Sequence, residues 1–459
     1  MMKNKAMRCV WLVCGLLMLA VTSCKDDLLY TDGEPIPEGE TTIIAQVDFR
    51  PLVEGLAGKS RTAGDAIKSI QDLCVLLYDA EGNFVEGHSL ESISNANPTD
   101  GQFYVNEVTR KDGDAPDGGT IAETKTPQAN LKLTIPYGRY YIYAVANMGE
   151  DFKKAVQAQG KENGAAEEVA KYKTAIATKE GLKSISLTWD VADVAKNSQM
   201  FGHFTIVGQE NNSELITINK KGMKLHSWIR RAASKVTIAY DGSKLEEGVF
   251  IYLKSVTIKD IPQNCCLGQD NPAVPENYQP KDRDEGVKLD LIKNGETIKY
   301  YEGDTEPTIS DFKETYEARI TKGKPLFSSK EQGENAYHPK KLADVHTEIT
   351  NALYFYENMQ GKGKEGTPSD KRQVVANTLN KTEPTYPNGG QENNEAWKDA
   401  KPYGTYIEVD AFYVSINDKK VGRGPIKYRF MLGKDVITDY NAERNHHYKL
   451  TLSRCTVCT

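Results

Sequence analysis

Thiols, imidazoles and one run of aspartates are the groups of this chain whose chemistry depends on spacing. Of the cysteines, Cys74, Cys265, Cys266, Cys455 and Cys458 lie beyond the N-terminal segment. An odd set without regular spacing is not a disulfide framework. Adjacent Cys265 and Cys266 would bridge each other only with strain. Cys455-x-x-Cys458 would need a helix start or further ligands nearby for redox or zinc chemistry, and the sequence offers neither. Among the histidines only His446 and His447 adjoin, and consecutive strand residues point to opposite faces, so they are a poor chelating pair. His338 and His346 have no clear third ligand. Asp112-x-Asp114-x-x-Asp117 is acidic and Gly-rich but lacks the distal Glu of a calcium loop, and reads as a hairpin loop. No Gly-x-Ser-x-Gly, Walker loop or His-Glu-x-x-His occurs. The expectation is a protein that is not an enzyme and holds no metal or cofactor.

Cys24 is different. It follows a charged segment (Lys3, Lys5, Arg8), an apolar run from Val10 to Val21 and the small residues Thr22 and Ser23. The run is shorter than the about 20 residues a spanning helix needs, so it reads as a signal peptide of residues 1–23. The cysteine behind small residues resembles the lipobox of bacterial lipoproteins, which implies an acylated Cys24 as the new N-terminus. Lys25-Asp26-Asp27 resembles the surface-export signal of Bacteroidetes lipoproteins. The expected location is the outer membrane, lipid-anchored, at the cell surface.

Loss of the leader would take the net charge from −6 to near −9, since it removes Lys3, Lys5 and Arg8 and no acids. An acidic chain without a basic stripe argues against nucleic-acid binding. Residues 24–41 are poor in apolar side chains and read as a flexible tether. The rest must position whatever function exists. Thr42 to Phe49 alternates as a strand, a polar Gly-containing loop holds Arg61, and Leu73 to Tyr78 is a strand buried on both faces. Strands are also expected at Leu131–Ile135, Arg139–Asn147, Ile185–Trp189, Met200–Val207 and Leu215–Ile218. One or two surface helices between Asp151 and Ala177 break near Gly160 and Gly164. Trp228 to Ile238 leads into a new strand, followed by Phe250–Lys259, a polar stretch with few strand signals from Gly268 to Gly333, and Asn351–Tyr356. Gly361–Asn394 reads as a surface loop, and Tyr406–Ser415, Ile426–Leu432 and His447–Ser453 close the chain. Short strands and long loops predict a mainly β chain of two tandem antiparallel β-sandwich domains, 42–222 and 223–459, with minor helix.

Several runs together resemble the fimbrillin (type V pilus) subunits of Bacteroidales. They are Ile70 to Gly82, Tyr140 to Asn147, Arg231 to Val236, Leu353 to Gln360 and Asp439 to Leu450. The resemblance implies transthyretin-like, fimbrillin-type sandwiches and a structural or tip subunit of fimbriae serving adhesion. It also implies protease-triggered strand exchange. An arginine-specific surface protease cuts in the loop after the first strand, that strand is lost, and a neighbouring subunit donates a strand to the open groove. Carried onto this chain, the removable strand is Thr42–Phe49 and the cleavage residue is Arg61, with Arg50, beside Pro51, as runner-up. The expected partners are other fimbrial subunits, the protease, the outer membrane through the lipid, and a host or glycan ligand. Related chains often run on past the strand after Asn445-His446-His447-Tyr448. Three readings follow from the shorter end here: a terminal subunit, donation of His447–Ser453 itself, or a truncated chain. The alternative function is a lipid-retained pilus anchor or a monomeric glycan-binding surface lipoprotein, for which Tyr- and Trp-lined faces would serve stacking. Trp228 and Trp397 form no cluster visible in the sequence.

Overall fold

The structure is a computed structural model. It describes residues 35–50, 52–55, 69–86, 89–92, 104–109, 128–159, 166–191, 198–209, 213–240, 249–273, 289–299, 326–327, 352–363, 370–371, 404–417 and 420–452. Cys24, Arg61, the leader, most of the tether, the Asp112–Gly119 loop, His338, His346, Trp397, Cys455 and Cys458 lie outside these described residues.

Along the chain come β1 (Glu40–Phe49), β2 (Val53–Gly55), β3 (Ser69–Tyr78), β4 (Ser89–Ser92), β5 (Tyr104–Thr109), β6 (Gln128–Pro136) and β7 (Gly138–Ala146). Helices α1 (Gly149–Gln157), α2 (Glu167–Ala175) and α3 (Lys179–Lys183) follow. Then come β8 (Ser186–Thr188), β9 (Met200–Ile206), β10 (Leu215–Ile218) and β11 (Lys224–Arg231). These strands, apart from β2 and β8, build one curled sheet in the order β4-β6-β1-β11-β9-β7-β3-β5, with β10 on β7. The inward residues of its two halves share a core that holds Ile43, Val47, Phe49, Leu131 and Leu133 on one side and Leu73, Val75, Leu77, Ile142 and Ala144 on the other.

The second body begins at β12 (Ala233–Tyr240) and continues through β13 (Val249–Pro262), β14 (Asn264–Cys266), β15 (Leu291–Lys299) and β16 (Leu326–Phe327). It closes with β17 (Ala352–Tyr356), β18 (Asn358–Lys362), β19 (Tyr406–Asn417), β20 (Lys420–Met431), β21 (Asp439–Ala442) and β22 (His446–Leu452). A sheet ordered β17-β12-β22-β2 faces another ordered β15-β13-β19-β20. Between them lie Val236, Ile238, Leu353, Phe355 and Leu450 from the first, and Val256, Ile258, Ile407 and Val409 from the second. The fold is mainly β, as the short strands predicted.

A third core joins the two bodies. Leu76, Tyr78, Tyr143 and Val145 on the outer face of β3 and β7 meet Phe152, Val156 and Val169 of the helices and Tyr354 and Tyr356 of β17. This explains why Leu73–Tyr78 and Ala352–Tyr356 are apolar at successive positions: both faces are covered. It also explains the first helix. Asn147 adopts φ 60°, a conformation that Asn tolerates, and turns the chain out of β7. Its side-chain oxygen accepts from Gln71 N. Asp72 of β3 then accepts from Met148 N and Gly149 N, both at 2.9 Å, and so caps α1 from another strand.

Several expectations needed correction. The helices split between Gln157 and Glu167, bracketing the expected break, but α3 adds a further turn beyond Ala177. Trp228–Ile238 spans the end of β11 and most of the new strand β12. The chain breaks at Ala232, whose N–H donates to Gln199 O, and β11 and β12 enter different sheets. β11 follows Gly222 yet completes the first sheet. The polar stretch from Gly268 to Gly333 contains β15, an edge strand with no fully buried residue and hence no clear alternation. β4 and β5 form between the expected strands Leu73–Tyr78 and Leu131–Ile135.

Candidate functional site: the N-terminal strand and its seat

β1 is held between two strands that are remote in sequence. It runs antiparallel to β6 from Glu40↔Pro136 to Asp48↔Gln128. On its other edge it runs parallel to β11 from Ile44↔Lys224 to Phe49↔Ile229. Neither neighbour is joined to it by a hairpin, so only the chain after Arg50 ties it covalently to the rest of the sheet. Ile43, Ala45, Val47 and Phe49 point inward and are fully buried, while Thr42 and Ile44 face outward. The expected strand Thr42–Phe49 is therefore found, with two more residues at its start.

The segment then crosses to the second body. Arg50 N donates to Ile229 O at 2.7 Å, and Val53 N donates to Asn445 O at 2.8 Å. β2 pairs in parallel with β22 through Val53↔His446 and Gly55↔Tyr448. Leu52, buried between these two pairings, lies beside Arg231, Lys235 and Tyr354. One stretch of 16 residues, Glu40–Gly55, thus contributes a strand to each body. β2 is three residues long and has no periodicity to read. Arg50 is exposed as a side chain, but its backbone is part of the sheet ladder.

The outer face of β1 carries polar chemistry that the sequence did not disclose. Asp48 is 5 % exposed, and its Oδ2 lies 2.7 Å from His226 Nε2 on β11 and accepts from Gln46 Nε2 at 3.0 Å. His226 meets Trp228 edge-on, with ring centroids 5.1 Å apart. Trp228 is the Cα partner of Asp48 and is 50 % exposed. Asp48 and His226 are 178 residues apart. Only the parallel β1–β11 pairing brings them together.

In the second body the polar groups serve structure. Arg444 and Glu357, 5 % and 3 % exposed, form a buried ion pair. Arg444 also donates to the carbonyls of Cys266 and Leu267 at 3.1 Å and of Gln269 at 2.7 Å, while Glu357 accepts from Asn271 N. The pair pins the loop after β14, which packs on Lys183 of α3, to β17 and β22. The runs Leu353–Gln360 and Asp439–Leu450 are brought together here. His446 and His447 separate as expected. His446 Nδ1 contacts Arg444 O, and His447 is buried with its Nε2 2.7 Å from Thr237 Oγ1. Among the described residues no cluster of His, Cys, Asp or Glu is arranged to hold a metal, and Cys74, Cys265 and Cys266 are free thiols.

These groups give the second body an acid limit. Burial, then the positive charges of Lys235, Lys449 and Arg231, push the His447 imidazole down to about 2. Burial would raise the Glu408 carboxyl, but hydrogen bonds and charge from Arg429 and Lys427 outweigh it and hold the group at about 2. In both cases the unfolded chain binds a proton that the folded chain refuses, so stability falls as the pH drops. The His447 contribution is lost progressively from about pH 6.5 downward and that of Glu408 from about pH 4.3. Thermal melts between pH 7.5 and 5 should show a falling Tm, and the slope should flatten in His447→Gln. An unchanged slope in that variant would remove His447 from the account.

A family model described as a "Domain of unknown function (DUF4906)" matches residues 353–452, which run from β17 to β22. No curated protein matches the chain. Among solved structures, the chain is similar to a "putative cell adhesion protein" of Parabacteroides distasonis ATCC 8503, with 11 % identity and a TM-score of 0.39 over 92 % of this chain and 93 % of that one. It is similar to the tip fimbrial protein Mfa3 of Porphyromonas gingivalis, with 10 % identity and a TM-score of 0.36 over 92 % and 97 %. The fimbrial anchor protein Mfa2 of the same organism matches at 11 % identity and a TM-score of 0.23 over 58 % and 76 %. These neighbours are fimbrial and cell adhesion proteins. The architecture itself rests on the strand registers above.

Proposed function

We propose that this chain is a fimbrial subunit or tip protein that reaches the outer membrane as a lipoprotein through Cys24. Cleavage after Arg61 by an arginine-specific surface protease would free the segment that holds β1 and β2, and a strand from a neighbouring subunit would replace it. The observation that carries this reading is the seating of β1. It pairs along Glu40–Asp48 with β6 and along Ile44–Phe49 with β11, buries four inward side chains and lacks a hairpin to either neighbour. Its loss would leave β6 and β11 with unpaired backbone groups and open the first core, which an added strand can satisfy. The role is structural and adhesive rather than enzymatic. Among the described residues no helix is long and apolar enough to cross a membrane, and lipid on Cys24 would supply the attachment.

A second reading, a lipid-retained anchor or monomeric glycan-binding lipoprotein, is favoured by half-exposed Trp228 beside His226 and Asp48, since an aromatic face with polar neighbours suits sugar stacking. Size-exclusion chromatography after cleavage at Arg61 separates the two. A ladder of multimers is expected for a subunit. A stable monomer that is retarded on glycan gels would replace the subunit reading with the glycan-binding one.

A further inference from the structure

We infer that the strand which replaces β1 carries a carboxylate at the position of Asp48, read by His226 of β11. This rests on the strand-replacement reading and adds the chemistry of the partner.

The inward face of the seat selects weakly. It accepts apolar side chains at the positions of Ile43, Ala45, Val47 and Phe49, and the ladders to β6 and β11 accept any backbone. Hydrophobic burial is not directional, so many alternating strands would fit. The outward edge does select. The Asp48 carboxylate is buried in the sheet surface and is bonded to His226 Nε2 at 2.7 Å, with Gln46 Nε2 on the same oxygen at 3.0 Å. A buried carboxylate is tolerated only when partnered. An incoming strand with an apolar residue here would leave His226 Nε2 without its partner. The pair also sets register, because a slip of one residue would turn the aspartate into the apolar core. The expected partner is an extended segment with apolar residues at four alternate positions and an acid immediately before the last, as in Ile43-x-Ala45-x-Val47-Asp48-Phe49.

The test uses the full chain, nicked between Arg61 and Thr62, and labelled peptides of residues 40–55 added in excess. The native peptide should exchange in, and its Asp48→Asn and Asp48→Leu forms should bind about tenfold or more weakly, the loss typical of a charge-assisted bond. With His226→Gln in the chain the preference for the acid should disappear. Equal binding of the three peptides to the unaltered nicked chain would overturn the inference while leaving strand replacement standing. Exchange of no peptide at all would overturn both. The comparison on the unaltered chain decides the matter even if the His226 variant does not fold.

Discussion

Phe49→Ala is expected to destabilise the intact chain by about 3–5 kcal/mol, the cost typical of deleting a buried aromatic side chain. Phe49 is fully buried at the end of β1 in the first core, opposite Ile229 of β11. The outward Ile44 on the same strand is 42 % exposed, and Ile44→Ala should stay within about 0.5 kcal/mol. Urea denaturation of both variants tests the contrast. The consequence goes beyond stability. No hairpin ties β1 to β6 or β11, so its inward side chains hold it in place. In a chain nicked at Arg61, the Phe49 variant should release its N-terminal segment faster than the parent. Equal losses for Phe49 and Ile44 would mean that β1 is not seated as described.

Arg444→Met should cost a similar amount, about 3–5 kcal/mol, because it leaves the Glu357 carboxylate buried without its partner. It also removes donors from the carbonyls of Cys266, Leu267 and Gln269. The double variant Arg444→Met with Glu357→Leu should recover part of the loss, since neither charge then remains buried. Because the loop after β14 also bonds to Lys183 O of α3 through Gly268 N and Gln269 N, the single variant should loosen the junction between the bodies. Hydrogen exchange at those amides is the local readout. Unchanged protection there, with the global loss intact, would confine Arg444 to the second body.

Much of the strand content was legible because it follows side-chain period. Thr42–Phe49 alternates, and its four inward residues are those found buried. Leu73–Tyr78 and Ala352–Tyr356 lack alternation because each is covered on both faces, one by the helices and the other by the joining core. Partner choice was not legible. Nothing local to Asp48 or His226 tells of a parallel pairing across 178 residues. The same holds for Glu357 and Arg444, which sit in separate runs that only the fold unites. The switch at Ala232 leaves no local mark, because Trp228–Ile238 continues as extended chain on both sides of it and only the change of sheet shows the break. β15 was missed because an edge strand with half-exposed residues has no buried face to impose a pattern.

The seating of β1 bears on what Cys24 is for. On the proposed reading, in which Cys24 carries lipid, a cut after Arg61 would release that lipid with β1 and β2, and the lipid would serve delivery. Without a cut, the same segment would stay paired in both bodies, and a lipid on Cys24 would tie the fold to the membrane. The N-terminus of the protein recovered from the cell surface, determined by mass spectrometry, decides between them. The account predicts a chain that begins at Thr62. A mature protein that still begins at acylated Cys24 would contradict it.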